Sequence, residues 1–352
     1  MHRLSFKHVS ACRRPSLLGF TLLLWISLAL VGTQVRAAPS TTVYLPLILG
    51  PTNTTITFVC GEEICLINSD GSNQQQLTHN TLPDYAPVWS PDKTMLAFTS
   101  ILTDSTHAIF RIHADGTHLT KLAPGSVPAW SPDGQKILFS SGTALFVINA
   151  DGSQLIPLSH TSVGADILPA WSPNSQQIVF TRNMPTGMAL YVINADGSGE
   201  TMLAATAIGQ ALYDATWSPD GSKIAYCSQG SIGVMYADGS HTMVLAQRDD
   251  FWYGKPQWSP DGRTILYTAF TEILPPFLEA TAVLIMHADG SQQTMLVNDR
   301  AYTTRWSPDG QRIVYANQEI DASGQIRGYV ISIINADGTG KQRLVVGTEP
   351  DW

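Results

Sequence analysis

Two spacings repeat through this chain without change, while the stretches between them vary freely. Six tryptophans, Trp89, Trp130, Trp171, Trp217, Trp258 and Trp306, are each followed nine residues later by an aromatic ring, at Phe98, Phe139, Phe180, Tyr226, Tyr267 and Tyr315. Seven Asp-Gly pairs begin at Asp70, Asp115, Asp151, Asp196, Asp238, Asp289 and Asp337, and each is followed by a leucine seven residues after the aspartate, from Leu77 to Leu344. The gap from aromatic to Asp runs from 12 to 22 residues, and that from Leu to the next Trp from 8 to 14. Constant spacings mark tight hairpins and elastic ones mark free loops.

A period of 41 to 48 residues between these tryptophans identifies a repeat array. One unit reads x-Pro-x-Trp-Ser-Pro-Asp-Gly, a short apolar run, an elastic gap, a second apolar run, Ala-Asp-Gly, and a run ending in Leu. That is four short strands separated by turn signals, with no helical period. In Ser-Pro-Asp-Gly the proline pre-sets a turn and the glycine supplies positive φ. Ala-Asp-Gly does the same in the second hairpin. The pattern predicts an all-β, seven-bladed β-propeller of four-stranded antiparallel blades. Residues 56–77 form a unit without its first strand, and the chain stops at Glu349-Pro350-Asp351-Trp352, a first strand with nothing after it. The C-terminal strand is thus expected to complete the N-terminal blade. The alternative is six blades with a frayed end. The tryptophans, the Phe/Tyr set and Ile67, Ile112, Ile148, Ile193, Met235, Met286 and Ile334 are expected in the core.

Residues 1–37 read as a signal peptide: Arg3, Lys7, Arg13 and Arg14 precede an apolar run from Leu17 to Gly32, and Val35-Arg36-Ala37 fits a cleavage site. The other reading is an uncleaved N-terminal anchor. Residues 38–55 read as a linker, with an apolar patch at 43–49 and a sequon at Asn53. Removing 1–37 leaves 15 Lys+Arg against 28 Asp+Glu, a net charge of −13. Such acidity argues against nucleic acid, which needs a basic footprint. The expected address is secreted or extracytoplasmic, in the periplasm or at the cell surface. In that oxidising setting Cys60 and Cys65 are a possible disulfide, two free thiols being the alternative. Cys227 reads as a core thiol.

No Gly-x-Ser-x-Gly, His-x-His, His-Glu-x-x-His or Cys-x-x-Cys occurs, so the expectation is no catalytic residue, no metal and no cofactor. In an up-and-down blade the two fixed hairpins lie on one face and the elastic loops on the other. Loops on a rigid scaffold commonly carry binding. The blade-to-blade loops are expected to hold Asp84, Tyr85, Asp166, Tyr213, Asp214, Asp250, Trp252, Tyr253 and Tyr302. Acidic and aromatic residues around a mouth suit a protein or glycan partner. Trp252 stands outside the repeat position and has no assigned core role. A monomer is expected, in contact with a membrane only if the N-terminal segment stays uncleaved.

Trp-Ser-Pro-Asp-Gly, an Ile-x-Phe/Tyr run and Ala-Asp-Gly-Ser together resemble the TolB-type, WD40-like or PD40, propeller repeat over 56–352. Two turns depart: Ser90-Pro91-Asp92-Lys93 lacks the glycine, and Ser172-Pro173-Asn174-Ser175 lacks both Asp and Gly. The resemblance implies a non-catalytic binding module. TolB itself carries an α/β domain before its propeller, for which 38–55 is too short. Oligogalacturonate lyases resemble this repeat as well and use a metal held by channel histidines, which makes a polysaccharide-active enzyme the alternative. No histidine here falls within the five residues before a repeat tryptophan.

Overall fold

The computed structural model describes residues 55–159, 164–248, 252–271, 279–321 and 325–352. The segments expected over 1–37 and 38–55 lie outside these residues, Thr55 apart. Among the described residues no helix is long and apolar enough to cross a membrane.

Twenty-eight strands form seven four-stranded antiparallel sheets. Six blades run consecutively, each starting with the strand that ends in a repeat tryptophan. Blade 1 is composite: the C-terminal strand Thr348–Asp351 pairs with Thr55–Cys60, followed by Glu63–Asn68 and Gln75–Gln76. Seven blades, closed in this way, settle the architecture against six.

The fixed spacings have inter-blade causes. Each Asp-Gly glycine faces the repeat leucine of the preceding blade: a methyl on Gly116 would lie 3.6 Å from Leu77, and one on Gly338 3.5 Å from Leu296. The same contact joins Gly71 to Leu344 across the closure. In the other hairpin, Gly134 sits on Pro91 and Gly310 on Pro260 of the blade before. The turn aspartate is a hydrogen-bond hub, as in Asp133, whose Oδ1 accepts Ser131 Oγ at 2.6 Å and the Gln135 N–H at 3.0 Å. Phe98, Phe139, Phe180, Tyr267 and Tyr315 are all but fully buried, and the tryptophans wedge between blades. Four indole N–H groups donate to the residue before the preceding blade's tryptophan: Trp130 to Val88, Trp171 to Ala129, Trp306 to Gln257 and Trp352 to Arg305.

Both departing turns place a reaching side chain where glycine is usual. Lys93, at φ 60°, donates from Nζ to the Trp352 carbonyl and lies over the Trp89 ring. Ser175, at φ 61°, accepts the Asp133 N–H on Oγ at 3.0 Å. Each gives up glycine's conformational ease for a bond to a neighbouring blade. Asn174 replaces the aspartate and accepts Ser172 Oγ at 2.7 Å, so the hub survives.

Candidate functional site

Strand alternation puts the Ser-Pro-Asp and Ala-Asp-Gly hairpins on one face and the elastic connections on the other. The residues expected in blade-to-blade loops lie instead within the inner strands: Asp84–Trp89, Ala165–Trp171, Leu212–Trp217, Trp252–Trp258 and Ala301–Trp306. These strands start well ahead of the tryptophan and continue through a bulge, with proline after the bulged residue at Pro87 and Pro169 and without it at Ala215. A proline lacks the ladder N–H and is tolerated at an edge or a bulge.

The bulge recurs in all seven inner strands, as register shifts at Tyr85/Val88, Ser126/Ala129, Ile167/Ala170, Tyr213/Thr216, Gly254/Gln257, Ala301/Thr303 and opposite Thr57/Val59. At the third residue before the tryptophan stand Ala86, Val127, Leu168, Asp214, Lys255, Thr303 and Glu349. Six of these, all but Thr303, have φ between 51° and 56°. Positive φ is uncommon for non-glycine residues and an outlier for valine. A bulge re-aims a side chain, and in six blades the residue at this position sits in left-handed backbone, whereas Thr303 stays in register opposite Ala316.

Bonds between these positions confirm that they meet. The Asp214 carboxylate accepts the Lys255 N–H at 3.2 Å, and Glu349 accepts the Ala86 N–H at 2.5 Å. Lys255 Nζ donates to the Tyr302 carbonyl at 2.8 Å. Arg305 Nε lies 3.5 Å from Asp351, which also accepts the Trp89 N–H at 3.1 Å. Burial pushes the Asp214 and Glu349 carboxyls up, each opposed by the Lys255 charge. Burial pulls Lys255 down, with Asp214 opposing and Arg305 assisting. Lys255 is open to solvent by surface area yet enclosed by protein, as a residue inside a channel is. It feels the Glu349 charge although a blade lies between them.

Of the expected site residues, Asp214 is in this ring, with Tyr85 and Tyr302 beside it. Burial pushes the Tyr85 hydroxyl up to about 12, helped by Glu349, and burial, then Tyr329, then Glu349 raise Tyr302 further. Tyr85 meets His107 edge-on and Tyr302 meets Tyr329. Tyr213 is half-buried against the core between blades 5 and 6. The others are drawn into packing. Asp84 is buried; its N–H donates to the Glu62 carbonyl and its carboxylate accepts Asn80 at 2.8 Å. Asp166 is buried against Arg182 at 2.6 Å, which also pairs with Glu200 at 2.7 Å and lies over the Tyr191 ring. Tyr253 is only 3% exposed and meets Tyr267 edge-on at 5.3 Å. Trp252 is half-buried over Gly230. Asp250 lies outside the described residues. Cys60 and Cys65 are joined as a disulfide, with Cα atoms 5.8 Å apart.

Sequence reasoning missed Val127, Leu168, Lys255, Arg305 and Glu349. For Val127, Leu168, Lys255 and Glu349 the available signal was the residue preceding proline in x-Pro-x-Trp, the variable position of an otherwise repetitive strand; Arg305, next to its tryptophan, carried no such mark.

The chain matches the TolB beta propeller domain family over residues 50–275. It belongs to that family. TolB from Acinetobacter baumannii superposes with a TM-score of 0.54 at 18% identity, covering 86% of this chain and 67% of that one. A putative TolB from Agrobacterium tumefaciens gives 0.51 at 19%, covering 66% and 87%. An oligogalacturonate lyase in complex with manganese gives 0.62 at 14%, covering 82% and 83%. No curated protein is detectably similar in sequence. At these identities the structural likenesses show the fold, which TolB proteins share with propellers that are enzymes. Among the described residues of this TolB-family propeller, no three His, Cys, Asp or Glu side chains are grouped to hold a metal ion.

Proposed function

We propose that this TolB-family chain is an extracytoplasmic, non-catalytic propeller that holds a partner, protein or glycan, at the channel mouth on its variable-loop face. The observation that carries this is the ring of inner-strand bulges. In six of the seven blades they carry one non-repeating residue in left-handed backbone, and we read this ring as lining a concave opening. Strain of this kind concentrates where function holds it in place. Asp214, Tyr85 and Tyr302, with Lys255 and Glu349, form the proposed contact surface. Asp84, Asp166 and Tyr253 support it from behind. Residues 1–37 as a signal peptide and 38–55 as a linker complete the proposed organisation.

The test is capture from the source cell's envelope and medium, using the protein from residue 38 onward. A Leu168→Asn/Asp214→Asn variant at the mouth and a Gln135→Ala variant on the hairpin face run beside it. The expected result is a partner retained by wild type and by Gln135→Ala but lost with the mouth variant. Equal retention by all three would place binding elsewhere. Absence of any specific partner would move weight to a lyase acting in the same channel, assayed directly on oligogalacturonate with manganese.

A further inference from the structure

The channel wall is unevenly divided. Ala86, Val127 and Leu168 belong to consecutive blades, 2 to 4, and form an unbroken apolar arc. Val127 is 40% and Leu168 39% exposed, at φ 56° and 52°. An aliphatic side chain held in left-handed backbone and turned to solvent gains nothing from the fold that asparagine or glycine would not give there. A carboxylate bounds each end of this arc. Glu349 of blade 1 stands before Ala86, and Asp214 of blade 5 stands after Leu168. Each commits one oxygen, Oε2 and Oδ2, to a neighbouring backbone N–H. Among the described residues no hydrogen bond engages the second oxygen of either. Lys255 commits its Nζ to the Tyr302 carbonyl, and its charge is shared between Asp214 and Glu349, which leaves the pair with net negative charge for a ligand. The chain from residue 38 carries 28 acidic against 15 basic groups, so long-range attraction favours a cationic partner, while the choice of the mouth rests on Asp214 and Glu349.

Resting on the channel-mouth reading, we propose that the occupant is a basic polypeptide segment. A leucine-like or aromatic side chain seats on Val127 and Leu168, and flanking lysines or arginines are taken by Asp214 and Glu349. The apolar arc supplies non-directional burial. The two carboxylates fix orientation through charge-assisted hydrogen bonds.

The probe is a fluorescein-labelled extended peptide with one leucine between two lysines, read by anisotropy on the purified protein at low salt. Two controls replace the lysines with glutamates or the leucine with serine. Wild type is expected to bind the lysine-leucine peptide at least about tenfold tighter than either control. Asp214→Asn/Glu349→Gln should lose about tenfold for that peptide. Leu168→Asn, which suits positive φ, should lose leucine selectivity while melting no lower than wild type, so that lost binding is not lost folding. Equal or tighter binding of the glutamate peptide overturns the proposal, as does unchanged binding by the carboxylate double variant. If no peptide binds but the mouth variant still loses the captured partner, the basic-segment inference fails and the channel-mouth reading stands. If the mouth variant retains its partner as well, both fail.

Discussion

Left-handed backbone at one position in six blades couples stability to function residue by residue. Leu168 bears an aliphatic side chain, 39% exposed, on a φ of 52°. Releasing such strain stabilises by about 1 kcal/mol or more. Leu168→Gly is therefore expected to raise the urea midpoint while weakening partner capture, the usual trade at a strained site. A lower midpoint would show that Leu168 packs more than its exposure allows. Tyr253 and Trp252, adjacent in sequence, should separate in the opposite sense. Tyr253 is buried against Tyr267, and truncation to alanine should cost about 3–5 kcal/mol, as for other buried rings. Trp252, half-buried over the Gly230 turn, should cost clearly less. Equal losses in denaturant titrations would mean that Trp252 is as much a core residue as its neighbour.

At the scale of the element, the hairpin between Thr55–Cys60 and Glu63–Asn68 does more than turn the chain. Its Glu62 carbonyl accepts the Asp84 N–H at 2.8 Å, and Thr78 Oγ reaches Glu63 at 2.6 Å, so the hairpin fixes the start of the next blade's inner strand. The Thr143 carbonyl does the same for Asp166, and that of Gly230 for Tyr253. The Cys60–Cys65 tie closes a short loop, worth about 2 kcal/mol on chain-entropy grounds. Cys60→Ser/Cys65→Ser should lower stability by that amount, and intact mass under non-reducing conditions should show the bond in protein purified from its source cells. Free thiols in that protein, or an unchanged midpoint in the variant, would remove the tie from the account. Hairpins such as these were legible in the sequence because turn chemistry is local: Pro, Asp and Gly fix a backbone whatever surrounds them. The bulge was not, since proline in x-Pro-x-Trp reads equally as a strand start. The site residues were thus expected in loops, and Lys255 and Glu349 were overlooked. Asp84 and Tyr253 looked exposed because polar and aromatic side chains carry no mark of the partners that bury them.

For the whole molecule, closure and charge act together. Each blade rests on the next through the same glycine–leucine contact, and four junctions add a proline–glycine contact. Blade 1 alone is assembled from both ends of the described chain, its closing strand stapled by Lys93, Trp89 and Ala86 to blade 2. Loss of any blade opens the ring, so unfolding should be a single cooperative step. Its pH dependence follows from two opposed sets of carboxyls. The turn aspartates, including Asp70, Asp133, Asp196 and Asp337, lie below their ordinary value because hydroxyl and backbone donors hold the charged form, and Asp220 falls to about 2. Their contribution is present above the unfolded value of about 4 and is lost as pH falls through the folded values. Asp84, Asp214 and Glu349 lie above their ordinary values, chiefly through burial. Their charged forms disfavour the fold near neutrality, and protonation relieves that cost as pH falls toward about 4. Urea midpoints should therefore hold or rise slightly from about pH 7 to about 4.5, then drop steeply toward about 2. Asp214→Asn/Glu349→Gln should flatten the upper limb and leave the acid collapse in place. A steady decline from neutrality, or a variant curve parallel to wild type, would show that the channel carboxylates are solvated and that the bulged ring does not enclose them.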